Sequence, residues 1–124
     1  MPELNEACNN IPYTLGRMFS LYEQIQLAAA KANSSNINAT IKDRYFNSAA
    51  ATPSVVFPTL LKLAQKHLQK MGSAQEIYYN KQITELMGRI HQTYPTRMTL
   101  PEQGAFELGY YHQVQERYTK KEEA

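Results

Sequence analysis

Apolar residues recur at three- and four-residue intervals along most of the chain, which is the period of amphipathic α-helices. The first stripe consists of Leu15, Met18, Phe19, Tyr22, Ile25 and Ala29. It predicts a helix over about residues 13 to 31. The polar run at residues 33–36 should end this helix, because short polar side chains compete with helical hydrogen bonding.

Two further helices are predicted in the middle of the chain. A short one should cover about residues 39 to 50, with Asn38 or Thr40 as its N-cap. The next should begin only near Phe57 or Pro58, because an interior proline loses a hydrogen bond and clashes with the preceding turn. It should reach Met71, and its apolar stripe is Phe57, Leu60, Leu61, Ala64, Leu68 and Met71.

The last two helices each follow a capping-box pattern, at residues 73–76 and 99–102. Gly72 is a suitable stop for the helix before them, and Tyr94-Pro95 should end the fourth helix. The predicted apolar sides are Ile77, Ile83, Leu86, Met87 and Ile90 on the fourth helix, and Phe106, Leu108, Tyr110, Tyr111, Val114 and Tyr118 on the fifth.

No stretch shows the two-residue alternation of a strand or a hairpin signal. The sequence therefore predicts an all-α fold, a compact antiparallel bundle of about five helices. With 124 residues it is one domain by size. We expect a polar N-terminal tail at residues 1–12, the bundle at 13–119 and a charged tail at 120–124.

The net charge is only +2, but basic residues are concentrated in the middle of the chain. Eight of them lie between Lys42 and Arg97, against three acidic residues. The lone Cys8 excludes an intrachain disulfide. No signal peptide or membrane-spanning stretch is recognisable, so we expect a cytoplasmic protein.

Little in the sequence indicates catalysis. Asp43 is the one aspartate, and the histidines His67, His91 and His112 are too far apart to suggest a metal site, so they are expected on helix surfaces. We expect no catalytic residues, no metal and no cofactor. Gly16, Gly88, Gly104 and Gly109 fall inside predicted helices, where close helix packing is the expected reason for them.

What remains is a basic and aromatic pattern that suits nucleic acid. Lys62, Lys66 and Lys70, the lysine line, recur at every fourth residue, about 6 Å apart along a helix and near the spacing of phosphates along a strand. Arg44 beside Tyr45 offers a cation and a ring to a single strand. A lysine stripe is also typical of a solvated helix face, and Tyr45 could equally lie in the core.

Four blocks of sequence resemble the C-terminal region of the large subunit of the subtype I-C CRISPR Cascade complex. They occur in the same order in both, and together they span about residues 12 to 121. The blocks are residues 15–19, residues 38–53 with Asn47 and Ala50 as departures, residues 56–68 and residues 102–113. In that family the region also exists as a separate small subunit, made from an internal start, and an excised domain would fit almost as well.

The resemblance implies a non-catalytic helical scaffold present in more than one copy. Its expected partners are the Cascade backbone and large subunits, the guide RNA–target DNA heteroduplex, the displaced strand and other copies of itself. It would help assembly and stabilise the R-loop in a prokaryotic cytoplasm. Our candidate contacts to the nucleic-acid backbone are Lys42, Arg44, Lys62, Lys66, Lys70 and, less directly supported, Arg89.

An alternative from another class is a helical protein–protein interaction module that never touches nucleic acid. Its basic face would then meet acidic protein partners. Arg17 and the segment 110–112 would be assembly contacts.

Overall fold

The first apolar stripe becomes the central helix of the structure, a computed structural model that describes residues 10–33, 39–91 and 93–123. This helix, α1, spans Ile11–Ala32. Every residue from 12 to 23 is buried. Even Thr14, Arg17, Ser20 and Glu23, which lie outside the apolar stripe, are at most 6% exposed. The stripe predicted one buried face, whereas neighbours enclose residues 12–23 of α1 on all sides, and its C-terminal part is partly exposed.

Four more helices surround α1 in the described part of the chain. They are α2 (Ile41–Ala51), α3 (Pro53–Gln69), α4 (Ser73–Arg89) and α5 (Leu100–Glu123). All four contact α1, and the most extensive contact is with α5. The predicted all-α bundle of five helices is confirmed. None of the helices in the described residues is long and apolar enough to cross a membrane.

The helix ends differ from the prediction by a few residues. The first helix begins at Ile11, with the Asn10 side chain accepting a hydrogen bond from the Tyr13 amide, so residues 11 and 12 are helical. The rest of the predicted N-terminal tail, residues 1–9, lies outside the described residues. At the other end α5 continues to Glu123, so residues 120–123 of the predicted charged tail are helical.

Two of the glycines allow α1 and α5 to approach at backbone distance. A Cβ on Gly16 would lie 2.0 Å from the Phe106 carbonyl oxygen, and one on Gly109 would lie 2.0 Å from the Tyr13 carbonyl oxygen. Close helix packing therefore explains these two. It does not explain Gly88 and Gly104, since a Cβ there would meet nothing within 4 Å.

The capping patterns had mixed outcomes. Thr40 and Asp43 form a reciprocal capping box at the start of α2, and Thr99 and Glu102 form another before α5, through bonds of 2.8 and 3.3 Å. The box predicted at residues 73–76 was wrong. Gly72 is the N-cap of α4 and no side chain caps that helix.

The third helix begins earlier than predicted. Pro53 occupies its first turn, and Pro58 lies inside it. The prediction was wrong because tertiary contacts hold the first turn in place. The Ser54 amide donates to the Pro95 carbonyl at 3.0 Å, and Val56 and Phe57 are buried.

The apolar sides predicted for α4 and α5 are only partly correct. Ile77 is 69% exposed on α4, while Tyr79 is buried there. On α5, Phe106 and Tyr110 are buried, but Leu108, Tyr111 and Tyr118 are exposed.

The fourth helix ends earlier than predicted. It stops at Arg89, before Tyr94-Pro95, and His91 follows outside the helix with a left-handed φ of 55°.

Polar side chains join α1 to α5 inside the bundle. The Tyr110 hydroxyl donates a hydrogen bond to Glu23 Oε1. Arg17 Nε donates to Gln113 Oε1 at 2.9 Å, and the Tyr13 hydroxyl shares a hydrogen bond of 2.8 Å with His112 Nδ1. The buried Arg17 and Glu23 are therefore engaged by α5.

These environments predict a loss of stability at alkaline pH. Burial raises the pKa of Tyr22, Tyr79, Tyr94 and Tyr110, and for Tyr110 the hydrogen bond to Glu23 adds to the effect. The unfolded chain releases these phenol protons above about pH 10, whereas the native chain retains them. The free energy of unfolding should therefore be unaffected by these groups below pH 10 and fall as the pH rises beyond it.

Urea unfolding at pH values from 8 to 11, with absorbance at 295 nm to follow tyrosinate, would measure this loss. We expect some tyrosines of the native protein to ionise only when it unfolds. Ionisation of all nine tyrosines near pH 10 without any loss of stability would contradict the prediction.

Candidate nucleic-acid interface

The exposed face of α3 is basic and contains no acidic residue. The whole lysine line is exposed, with Lys62 and Lys66 on α3 and Lys70 as the C-cap residue directly after it. The opposite face, with Leu60, Ala64 and Leu68, is buried in the core. This division follows from the helical period, since a shift of two residues along a helix rotates a side chain by roughly 200°.

The surroundings of the lysine line leave its charge uncompensated. Gln65 and Gln69 are the exposed neutral neighbours on the same helix. Neither Asp nor Glu occurs between Pro53 and Gln69. Among the described residues, no carboxylate lies within salt-bridge distance of any of the three lysines. The line therefore presents three positive charges to solvent.

His67 lies next to this line but adds little charge near neutral pH. It is half-buried in the structure. Burial lowers the pKa of its imidazole, and the positive charge of Lys70 lowers it further. An imidazole ordinarily titrates near pH 6.5, so His67 becomes protonated only in a more acidic solution.

The fold places the predicted strand contacts Arg44 and Tyr45 in different environments. Arg44 is exposed on α2. Tyr45 is half-buried and packs against the core. Its neighbour Phe46 makes edge contacts with Phe19 and Tyr110, at centroid distances of 5.4 and 5.1 Å. The two aromatic residues of α2 therefore serve packing, and Arg44 is left as an exposed cation.

Lys42 is held by aromatic rings instead of extending freely. Its Nζ lies 5.5, 5.3 and 5.0 Å from the ring centroids of Phe46, Tyr110 and Tyr111. It also donates a hydrogen bond of 3.1 Å to the Tyr111 hydroxyl. We call these three rings the aromatic box. Cation–π attraction of this kind fixes the lysine between α2 and α5.

Among the predicted nucleic-acid contacts, Arg89 is the one whose positive charge is paired with a carboxylate. Its Nη2 atom lies 2.8 Å from Glu85 Oε1, one turn earlier on α4. Exposed pairs of this type contribute little stability, typically below about 1 kcal/mol, but the carboxylate offsets the charge offered to a phosphate. The predicted residues thus fall into three places: the lysine line on α3, Lys42 and Arg44 on α2, and Arg89 on α4.

Sequence reasoning missed the solvent-facing role of Tyr111. The apolar pattern predicts its ring on the buried side of the fifth helix, yet Tyr111 is 40% exposed and contacts Lys42. A signal was available in the sequence. Phe106 and Tyr110 are four residues apart and share a face, so the next residue along the helix is rotated by roughly 100° from that face.

No metal-binding group is formed by the described residues, among which no three His, Cys, Asp or Glu side chains come together. The three histidines lie on different segments. His67 is on α3, His91 follows α4, and His112 is on α5. His112 bonds to Tyr13.

Comparison with known proteins identifies the family. No curated protein matches the chain significantly. The family model described as CRISPR-associated protein (Cas_Csd1) matches residues 1–118, nearly the whole length. The chain therefore belongs to the Cas_Csd1 family of CRISPR-associated proteins.

Proposed function

We propose that the protein is a non-catalytic small subunit of a type I-C CRISPR surveillance (Cascade) complex. It would help the complex assemble and stabilise the R-loop by contacting target DNA and the displaced strand. The family supports a role in a CRISPR complex. The partners we propose are the Cascade backbone and large subunits, the guide RNA–target DNA heteroduplex and further copies of this chain, all within the prokaryotic cytoplasm.

The observation that carries the nucleic-acid part of the proposal is the acid-free lysine line on α3. Its three lysines recur at steps of about 6 Å along α3 and its C-cap, close to the separation of successive phosphates along one strand. Such a line contacts the phosphates of a strand through its charge and spacing, and it makes no contact that distinguishes one base from another. This is the division of labour in RNA-guided recognition, in which base pairing with the guide supplies the sequence information.

Neutralising the lysine line should weaken binding and reduce its dependence on salt. We expect the triple variant Lys62→Gln, Lys66→Gln and Lys70→Gln to bind a single-stranded oligonucleotide more weakly. The slope of log K against log salt should fall by roughly 0.7 for each lost phosphate contact, about two in all. Glutamine has a helix propensity close to that of lysine, so α3 should persist. Fluorescence anisotropy titrations at several salt concentrations would measure the slope.

The matched control removes the same number of positive charges from scattered positions. Lys31, Lys81 and Arg97 are exposed and lie on α1, on α4 and in the segment before α5. Their replacement by glutamine changes the net charge equally. It should leave most of the slope intact. Equal losses in the two triple variants would reject the lysine line as the binding face.

The protein-interaction module remains the alternative, and exposed apolar side chains favour it. Ile77 and Tyr78 are 69% and 58% exposed on α4, and α4 side chains between Ser73 and Glu85 line a surface depression. The assembly contacts predicted for this alternative are wrong in part. Arg17 and Tyr110 are 6% and 4% exposed and lie inside the bundle.

Crosslinking in the assembled complex separates the two functions. A photoreactive displaced strand should crosslink to this chain if it stabilises the R-loop. Crosslinks confined to other subunits, with α4 joined to protein neighbours, would favour the interaction module.

A further inference from the structure

The aromatic box around Lys42 combines a cation with a partly exposed ring. Three ring centroids lie within 5.5 Å of Lys42 Nζ. Tyr110 is buried at 4% exposure, whereas Tyr111 is 40% exposed. Phe46 and Tyr110 therefore support the lysine from the protein side, and Tyr111 presents part of its ring to solvent.

The polar atoms of this box retain unused hydrogen-bonding capacity. A lysine ammonium carries three protons, and the structure assigns one of them to the Tyr111 hydroxyl. The Tyr111 oxygen accepts that bond, so its own proton can be donated elsewhere. Two donors separated by 3.1 Å are thus available to one anionic group.

A ring beside a fixed cation suits one unpaired nucleotide. Proteins that hold single strands combine cations for the phosphates with aromatic side chains on which bases stack. The sequence suggested Arg44 and Tyr45 for this pairing, but Tyr45 packs against the core. The fold supplies the pairing from distant positions, because Lys42 on α2 meets Tyr111 on α5.

We propose that Lys42 and Tyr111 form a binding subsite for one unpaired nucleotide of a single strand. The base stacks on the exposed part of the Tyr111 ring, and a phosphate oxygen accepts hydrogen bonds from Lys42 Nζ and the Tyr111 hydroxyl. Phe46 and Tyr110 act as positioning residues that hold Lys42 in place. The subsite rests on the proposed nucleic-acid function and adds base stacking to the lysine line.

The test compares Tyr111→Leu with Tyr111→Phe, using an oligo(dT) dodecamer that contains one 2-aminopurine. Stacking quenches 2-aminopurine fluorescence. We expect Tyr111→Leu to weaken binding by roughly ten-fold or more and to abolish the quenching. Tyr111→Phe keeps the ring and should retain the quenching. A blunt duplex of the same length offers no unpaired base, so its affinity should be unaffected by Tyr111→Leu.

Tyr78 provides a closely matched control. It is an exposed tyrosine with an edge contact to the next residue, Tyr79, at 5.2 Å, as Tyr111 has with Tyr110 at 5.0 Å. Among the cation–π contacts of the described residues, none involves the Tyr78 ring. We expect Tyr78→Leu to change neither affinity nor quenching.

The outcomes also separate this subsite from the proposed function. If the lysine-line variant loses binding while Tyr111→Leu binds and quenches normally, the subsite is rejected and the proposed function stands. If the unaltered chain binds no single strand, both are rejected. Should Tyr111→Leu fail to fold, photocrosslinking of a 5-iodouracil strand to the unaltered protein decides. A crosslink at Tyr111 supports the subsite, and crosslinks confined to α3 overturn it.

Discussion

Replacing Gly16 or Gly109 by alanine is expected to destabilise the protein by about 3 kcal/mol or more. The added methyl group would lie 2.0 Å from a backbone carbonyl oxygen of the facing helix in either case. Backbone atoms cannot rotate away as a side chain can, so α1 and α5 would have to separate. That separation would loosen the most extensive helix contact of the bundle.

The same substitution elsewhere in the chain is an internal control. A Cβ at Gly104 or Gly88 would meet nothing within 4 Å. Alanine is favoured over glycine within a helix by up to about 1 kcal/mol, so Gly104→Ala and Gly88→Ala should be neutral or stabilising. Urea unfolding followed by circular dichroism at 222 nm would measure all four variants.

The double variant tests whether both glycines act at one helix contact. Once a first methyl group has moved α1 away from α5, a second costs less, so the two losses should not add. Native-like stability in either single variant would show that the two backbones do not approach as closely as described.

Tyr110→Phe is the other substitution expected to have a large effect, about 2 to 4 kcal/mol. It removes the hydroxyl that donates to Glu23 but keeps the ring in place. Glu23 is 6% exposed, so water cannot readily replace the lost donor. A buried acceptor that loses its donor bears the desolvation cost uncompensated, and the cost is greater for a charged group.

Two comparisons isolate this contact from general damage to the core. Tyr111→Phe removes a hydroxyl from the neighbouring, exposed residue and should cost less than about 1 kcal/mol. Adding Glu23→Met to Tyr110→Phe removes both polar partners and should recover part of the lost stability. Thermal or urea unfolding of the unaltered protein and these three variants would measure the differences in stability. If Tyr110→Phe were as stable as Tyr111→Phe, the buried hydrogen bond would be unimportant.

The prediction from sequence was most successful where local physics dominates. The apolar stripes of α1 and α3 repeat with the helical period, and the Thr40 N-cap and the Thr99 box need only neighbouring residues. The lysine line was predictable for the same reason. Its exposure follows from its offset from Leu60, Ala64 and Leu68 on the same helix.

The prediction failed where a side chain's environment depends on residues far along the chain. Pro58 lies inside α3 because the preceding turn is held by tertiary contacts, including the Pro95 carbonyl. Ile77 and Tyr111 belong to apolar patterns but have no facing helix to cover them fully. Conversely, Arg17 and Glu23 are buried because α5 supplies their hydrogen-bond partners.

By itself, then, the sequence determined the helical class, the approximate segments and the basic face of α3, all of which follow from spacing within one helix. The tertiary structure alone decided that α1 is central, that Gly16 and Gly109 meet α5 at backbone distance, and that Lys42 lies beside Tyr111. The contact between Lys42 and Tyr111 joins residues 69 positions apart. Periodicity within one segment carries no information about which other segment will pack against it.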